Sequence, residues 1–205
     1  MTISKGSPYG SPGVPLPRDG VAVASDREAR AVLEAARRDG RPWPVLGLLG
    51  GDLCRTLGGG ATRDEAALRS AGAVTFPVDL GQVLVDGRPH LFVAHCIARS
   101  PLWRRVVAAM NAQWFRDWNL GPRAHPNDGL VDVYDATLTF GDLPKVRRRL
   151  PTGAHVPHPR IAVRRAPGVQ VELSRPLSVW LDGEVADRGK VLSVRVEPDA
   201  LTVVV

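Results

Sequence analysis

The sequence predicts an α/β segment followed by a β-rich lobe, built as an antiparallel sandwich or partly open barrel. Two observations point to this. Two short apolar runs, residues 21–24 and 45–49, are each followed by a helix-forming stretch that ends at glycine. Strand, helix, strand, helix is an α/β pattern, here a very short one. From Ala73 onward, closely spaced strand signals rich in Val, Leu and Ile are punctuated by Gly and Pro. A chain of 205 residues, 44% hydrophobic and 23% charged, can bury one good core or two small ones and has a globular composition. The expected organisation is a flexible Pro/Gly-rich tail over 1–20, a reduced α/β lobe over 21–72 and a β-rich lobe over 73–205.

Taken in order, residues 1–17 hold Pro8, Pro12, Pro15 and Pro17 among Gly and Ser, the composition of a mobile tail. They lack the continuous apolar segment of a secretory signal. After the run at 21–24, Ser25-Asp26-Arg27-Glu28 offers a helix start with an early carboxylate. Residues 29–38, rich in Ala, Leu and Arg, extend that helix to Gly40. The run at 45–49 stops at Gly50-Gly51, and 52–57 make one or two helical turns before Gly58-Gly59-Gly60. Residues 75–85 and 90–94 flank Asp86-Gly87, a hairpin signal. Further strands are expected at 131–140, 161–165, 169–173, 177–181, 191–196 and 201–205, with a short helix over 142–150. Residues 102–118 are ambiguous. Leu102, Val106, Met110, Trp114 and Trp118 recur every four residues, as on a helix face, and Arg104, Arg105 and Arg116 beside them would suit an interfacial membrane helix.

The net charge is +6, and 24 of the 27 basic residues are arginine. A basic balance attracts anionic surfaces, phospholipid or nucleic acid. The clusters Arg147-Arg148-Arg149 and Arg164-Arg165 are the local candidates, each also readable as a solvated face. The arginines are otherwise scattered with no recognition motif, so nucleic acid is the weakest partner class. No run approaches the roughly 20 apolar residues that span a bilayer. Cys54 and Cys96 lack metal-ligand spacing and read as core residues, which makes cytoplasmic residence the expectation. His125, His155 and His158 lie in Pro-rich loops without zinc-ligand partners, and no Gly-x-Ser-x-Gly elbow marks a serine hydrolase.

Two motifs in the second half carry the functional reading. Asn127-Asp128-Gly129 opens onto Leu130-Val131-Asp132-Val133, a loop feeding a strand, and Val179-Trp180-Leu181 stops at Asp182-Gly183-Glu184. On the residues alone, Asp128 bonds the backbone two residues on. Asp182 shapes an Asp-Gly turn where Asn would be tolerated, and Glu184 is an exposed turn carboxylate. In this order the two motifs resemble the second domain of diacylglycerol kinases and related bacterial lipid kinases. Asp52, Arg55, Leu57 and Gly58 within residues 44–59, then Val78-Asp79-Leu80-Gly81, and Pro122-Arg123-Ala124 ahead of Asp128 fit the same pattern.

The resemblance implies a truncated α/β nucleotide-binding lobe followed by an antiparallel β-sandwich lobe, with residues 106–115 a strand rather than a helix. It implies phosphoryl transfer from ATP, with Mg²⁺, to a lipid hydroxyl, with Glu184 as general base. Ser25, Asp26, Gly51 and Asp52 would lie near the nucleotide. Asp128 would bind a structural divalent metal together with the backbone carbonyls of Val131 and Val133. A lipid or the inner membrane surface would be the partner, with a homodimer left open. The chain also departs from the pattern. Where the family has Gly-Gly-Asp-Gly-Thr, residues 24–28 keep only the aspartate, and the second loop is reduced to Gly50-Gly51 without its Thr and Asn. About twenty residues precede the first loop, where the family has further βα units. Side chains in place of glycines block the close approach of backbone N–H groups to phosphate, and Glu28 adds a repelling charge. Weak or absent nucleotide binding follows, and a non-catalytic relative that binds lipid or a protein partner is the alternative function.

Overall fold

A computed structural model of the chain describes residues 9–60 and 64–205. The Pro- and Gly-rich segment is held from Tyr9 onward: strand β1 (Ser11–Pro12) pairs with β4 (Val74–Val85), the Tyr9 hydroxyl donates to the Pro77 carbonyl, and Leu16 is buried. The α/β segment follows the expected order. Strand β2 (Val21–Val23), helix α1 (Asp26–Arg38), strand β3 (Leu46–Leu48) and helix α2 (Asp52–Thr56) succeed one another, and β2 and β3 are parallel. Helix α1 begins where the sequence placed its cap. It ends with Arg37 and Arg38 at the negative end of the helix dipole and Asp26 and Glu28 at the positive end. A one-turn helix α3 (Glu65–Leu68) leads into β4.

Beyond this point the chain is almost all antiparallel. β4 turns at Asp86-Gly87, both with positive φ, into β5 (Arg88–Phe92), the hairpin expected there. β6 (His95–Arg99), β7 (Arg105–Met110), β8 (Val131–Thr137) and β9 (Ile161–Ala166) run as successive antiparallel neighbours, with helix α4 (Leu143–Arg149) between the last two. β10 (Gly168–Leu181) and β11 (Glu184–Val204) form the longest hairpin. β6 was not anticipated from sequence. The four strands expected at 169–173, 177–181, 191–196 and 201–205 are two, because register shifts after Glu172 and Glu197 let each pair continue through its irregular centre.

Residues 102–118 contain a strand and no helix. β7 is buried on both faces: Val107 and Ala109 point into one core, and Val106, Ala108 and Met110 into another. A strand covered on both sides has no two-residue apolar alternation, so the four-residue recurrence was coincidental. The strand stops at Met110, and the aromatics beyond it pack in loops at the rim of the second core.

Three larger cores, with a small cluster of Leu16, Leu68, Ala73 and Val204 beside them, organise the described residues. One lies inside the sandwich, between β4–β5–β11–β10 and β6–β7–β8. A second packs α1, α2, β2 and β3 against one end of β4, β5 and β11. The third lies between the outer face of β6–β7–β8 and α4. The end of β11 pairs in parallel with β3 (Val203↔Leu46), so all eleven strands belong to one hydrogen-bonded sheet. This return places the β10–β11 turn, and with it Asp182 and Glu184, against α1. No helix among the described residues is long and apolar enough to cross a membrane.

Candidate functional site

The site lies where the α/β segment meets the β10–β11 turn, and the sequence dictates its first element. Ser25 caps α1: its Oγ accepts from the Glu28 N–H at 3.3 Å, and Glu28 Oε2 accepts from the Ala24 N–H at 2.8 Å. This arrangement is a capping box displaced by one residue, since Glu28 takes the N–H of Ala24 in place of that of the cap, Ser25. Side chains that replace the family's glycines thus engage the amides at the two ends of this loop, Ala24 and Glu28.

Gly50 and Gly51 complete the closure. A Cβ on Gly50 would lie 2.7 Å from the Ala24 carbonyl, and one on Gly51, whose φ is +100°, would lie 2.5 Å from Asp26 Oδ1. Glycine is required at 51 on both grounds, conformation and space. What approaches it is the Asp26 carboxylate, not a ligand. Asp26 accepts from the Asp52 N–H at 2.6 Å and the Leu53 N–H at 3.2 Å, the first free amides of α2. The first and second loops are therefore packed against each other.

Asp52 reaches the other way. Its Oδ2 lies 3.0 Å from His95 Nε2, and its Oδ1 accepts from the Arg116 N–H at 2.7 Å. His95 is buried at the start of β6, edge-on to the Phe115 ring. Asp26, Asp52 and His95 place ligand atoms within 4.8 Å of one another, a spacing that would admit a cation. Each carboxylate oxygen already faces an N–H or an imidazole, while His95 Nδ1 is buried without a hydrogen-bond partner among the described residues. A neutral imidazole is also a poor partner for the hard Mg²⁺ ion. Mg²⁺ as implied by the resemblance does not fit this arrangement, and no chemical step is derived through it.

Burial, followed by the charge of Asp182, pushes the Asp26 carboxyl up to about 7. Burial works to lower His95, but the hydrogen bond to Asp52 and the charges of Asp182, Asp52 and Asp26 together raise it. Asp26, His95 and Asp182, which burial also raises, thus carry perturbations of the kind found at functional sites.

The Asp182-Gly183-Glu184 turn closes the site. Asp182, with φ +50°, is buried: Oδ2 accepts from the Val93 N–H at 3.0 Å, and Oδ1 accepts from the Ala94 and His95 N–H groups at 2.9 and 3.1 Å. Tolerance of Asn at this position, expected from turn chemistry alone, does not survive this geometry. An amide would turn its own N–H toward one of the three donors. Asp182 ties the β5–β6 connection to the β10–β11 turn, a role no local motif reveals.

Glu184 is half-exposed. Its Oε2 lies 2.8 Å from Arg30 and its Oε1 3.7 Å from Arg27, both on α1. Arg30, itself buried, also lies 3.7 Å from Asp182 and 3.1 Å from Glu34. The glutamate named as a base is thus held by guanidinium groups. Ser25, Asp26, Gly51 and Asp52 lie together, and Glu184 is linked to them through Arg30 and Asp182. Arg30 and His95 were not singled out in the sequence, and Arg116 was read only beside the aromatics of a possible interfacial helix.

Asp128, Val131 and Val133 lie elsewhere. Asp128 Oδ1 accepts from the Leu130 N–H at 3.0 Å, the turn bond expected, while its Oδ2 is in contact with the Arg165 guanidinium. Val131 and Val133 are fully buried in β8, paired with β7 and β9. Arg165 brings positive charge to the position where a cation was anticipated.

Beside the site, two cavities open on the outer face of β6–β7–β8. One, of about 460 Å³, begins at Gly183 and is lined by Arg99, Arg116 and Arg147 with the rings of Trp103, Phe115, Trp118 and Trp180. The other, of about 540 Å³, shares Trp103, Trp118 and Arg147 with it and runs between β7–β8 and α4 over an almost wholly apolar lining. Both volumes fall in the roughly 300–1,000 Å³ range of small-molecule sites.

Known proteins share this architecture. A candidate diacylglycerol kinase from Bacillus anthracis strain Sterne superposes with a TM-score of 0.62 at 16% identity, over 89% of this chain and 76% of the other. A second such structure from the same strain gives 0.56 at 14% identity, over 78% and 69%. At these identities the likeness is one of fold. Among curated proteins, none matches the chain in sequence. Residues 71–205, well over half the sequence, match the YegS C-terminal NAD kinase beta sandwich-like domain. With that domain, and with the sheet order and the Asp182-Gly183-Glu184 turn it carries, the chain belongs to the diacylglycerol-kinase-like lipid kinase family.

Proposed function

We propose that the chain is a lipid-binding member of this family whose nucleotide loops are closed by its own side chains. The observation that carries the reading is the Ser25–Glu28 capping box. The Ala24 and Glu28 amides of the first loop are engaged by protein side chains, and Gly50-Gly51 packs onto Ala24 and Asp26. The apolar cavity between β7–β8 and α4 remains open and of a size to take an acyl chain. Isothermal titration with Mg²⁺-ATP and with a monoacyl lipid tests it. The expected result is heat of binding from the lipid and none from nucleotide in the micromolar range. Low-micromolar Mg²⁺-ATP affinity would overturn it.

A second reading, phosphoryl transfer to a lipid hydroxyl, is favoured by one arrangement: Glu184 stands beside the buried Asp26, Asp52 and His95 group, joined to it through Arg30 and Asp182. Here Glu184, released from Arg30, would take the hydroxyl proton as that oxygen attacks the γ-phosphoryl group. Transfer of labelled phosphate to a lipid panel, run beside Glu184→Gln, decides it. A true base loses about 10²–10⁴-fold on substitution, whereas equal rates would remove the assignment.

A further inference from the structure

The smaller cavity has a chemistry that a neutral lipid does not need. Arg99, Arg116 and Arg147 approach it from three elements: β6, the loop after β7, and α4. None of the three has a carboxylate within 4.0 Å among the described residues. Several other arginines do find one: Arg88 with Asp187, Arg105 with Asp135, Arg165 with Asp128, and Arg30 with Glu34 and Glu184. The one acid in the lining, Asp117, is fully exposed and lies 3.8 Å from Arg55.

Arg99 is the best positioned. It is half-buried, with its guanidinium carbon 4.7 Å from the Trp103 ring centroid and 4.6 Å from that of Trp180. Stacking of this kind fixes the plane of the fork and leaves its edge N–H groups to a ligand. Burial and the nearby Arg116 charge both lower its affinity for a proton, the sign of like charges brought together without a counter-ion. Arg147 lies 5.9 Å from the Trp118 ring, between the two cavities. Positive charge with no protein partner, framed by aromatic rings, is complementary to an anion, and guanidinium forks suit the oxygens of a phosphate or carboxylate. The apolar cavity shares Trp103, Trp118 and Arg147 with this smaller one as lining.

We propose that Arg99, Arg116 and Arg147 form a headgroup site for an anionic amphiphile, a phosphate- or carboxylate-bearing lipid whose acyl chain enters the apolar cavity between β7–β8 and α4. This deepens the lipid-binding reading and rests on it for the acyl half; the anion half stands on the three arginines. The shared chemistry is an oxyanion, and the probes separate its sources.

The full chain would be titrated with a monoacylglycerol phosphate, with the corresponding monoacylglycerol and with inorganic phosphate. Heat and the emission of Trp103, Trp118 and Trp180 would be followed. The phosphorylated lipid is expected to bind at least about tenfold more tightly than its uncharged counterpart, with a salt-dependent affinity. Arg99→Met, which keeps the stem between the two rings, and Arg116→Gln should remove most of that difference without altering monoacylglycerol binding. Ala136→Phe, which fills the apolar cavity from its wall, should weaken both lipids. Equal binding of the two lipids, unchanged in the arginine variants, would overturn the headgroup site and leave the cavity reading standing. Binding of inorganic phosphate as tight as that of the phosphorylated lipid would show an anion site without an acyl half. Failure of both lipids to bind would overturn both readings. Circular dichroism of each variant separates loss of binding from loss of fold.

Discussion

Replacing Asp182 with alanine is expected to lower stability by about 3–5 kcal/mol, because it strips a buried group of its partners from several sides at once. The Val93, Ala94 and His95 N–H groups all donate to its carboxylate. Buried amides left unpaired bear their full desolvation cost. Arg30 would keep Glu34 and Glu184 but lose the buried charge 3.7 Å from its Nε. In a chain of this length the loss corresponds to a fall in melting temperature of roughly 10 °C. Asp182→Asn should lie between alanine and wild type: one oxygen keeps two of its amides, and the new amide nitrogen opposes the third.

Glu184→Gln, two residues on, should by contrast change stability by no more than about 1 kcal/mol, since its carboxylate is half-exposed and its ion pairs are solvent-screened. Urea titration of the three variants with a common m-value makes the comparison. An Asp182→Ala protein within about 1 kcal/mol of wild type would show that the turn does not hold the site together.

This contrast marks how far the sequence could be read. Glu184 was legible because it follows a turn whose residues have local meaning. Asp182 was legible as a turn residue only, since its three amide partners lie 87 to 89 positions away and come from an unforeseen strand boundary. The α/β order and the β4–β5 hairpin were legible for the same local reason: apolar runs end at Gly50-Gly51 and at Asp86-Gly87. β6 was not, because residues 90–99 form an apolar stretch broken only by a two-residue bend, without Gly or Pro to mark it. Ser25 and Asp26 were correctly placed at a loop before α1. That the loop would be closed by Glu28 and by the approach of Gly51 is a tertiary fact, although the Ser-x-x-Glu spacing of a capping box was present in the sequence. His95 and Arg30, which complete the buried group, have no signature at all.

The buried group should also make the fold more stable at mildly acidic pH than at pH 8. Asp26 titrates near 7 in the folded chain against an ordinary 3.8, so between those values the native state holds a proton that the unfolded chain has released. Stability from this group therefore falls as pH rises from about 4 through about 7 and is level above. His95, raised above its ordinary 6.5, contributes stability that is complete below that value and lost as pH rises through its folded pKa. Burial raises Asp182 and brings Asp132 to about 6, and both act with the same sign as Asp26. His155 opposes them. Burial lowers it, so it costs stability as pH falls below 6.5.

The carboxylates held low by surface partners, Asp86, Asp142, Glu172 and Asp187, lose their contributions only as pH falls below the ordinary carboxylate range, outside the window considered. Against the single opposing histidine, the coupled Asp26, His95 and Asp182 set decides the sign, with an effect of order a few kcal/mol. Differential scanning calorimetry at fixed ionic strength should give a melting temperature several degrees higher at pH 5.5 than at pH 8. Asp26→Asn destabilises the fold at both pH values, because its amide nitrogen opposes one of the two α2 amides. It removes one titrating group, so the difference between pH 5.5 and pH 8 should shrink. His95→Gln removes the other group and should shrink it again. A melting temperature that rises from pH 5.5 to pH 8, or a slope that neither substitution changes, would mean that this cluster does not exchange protons on folding.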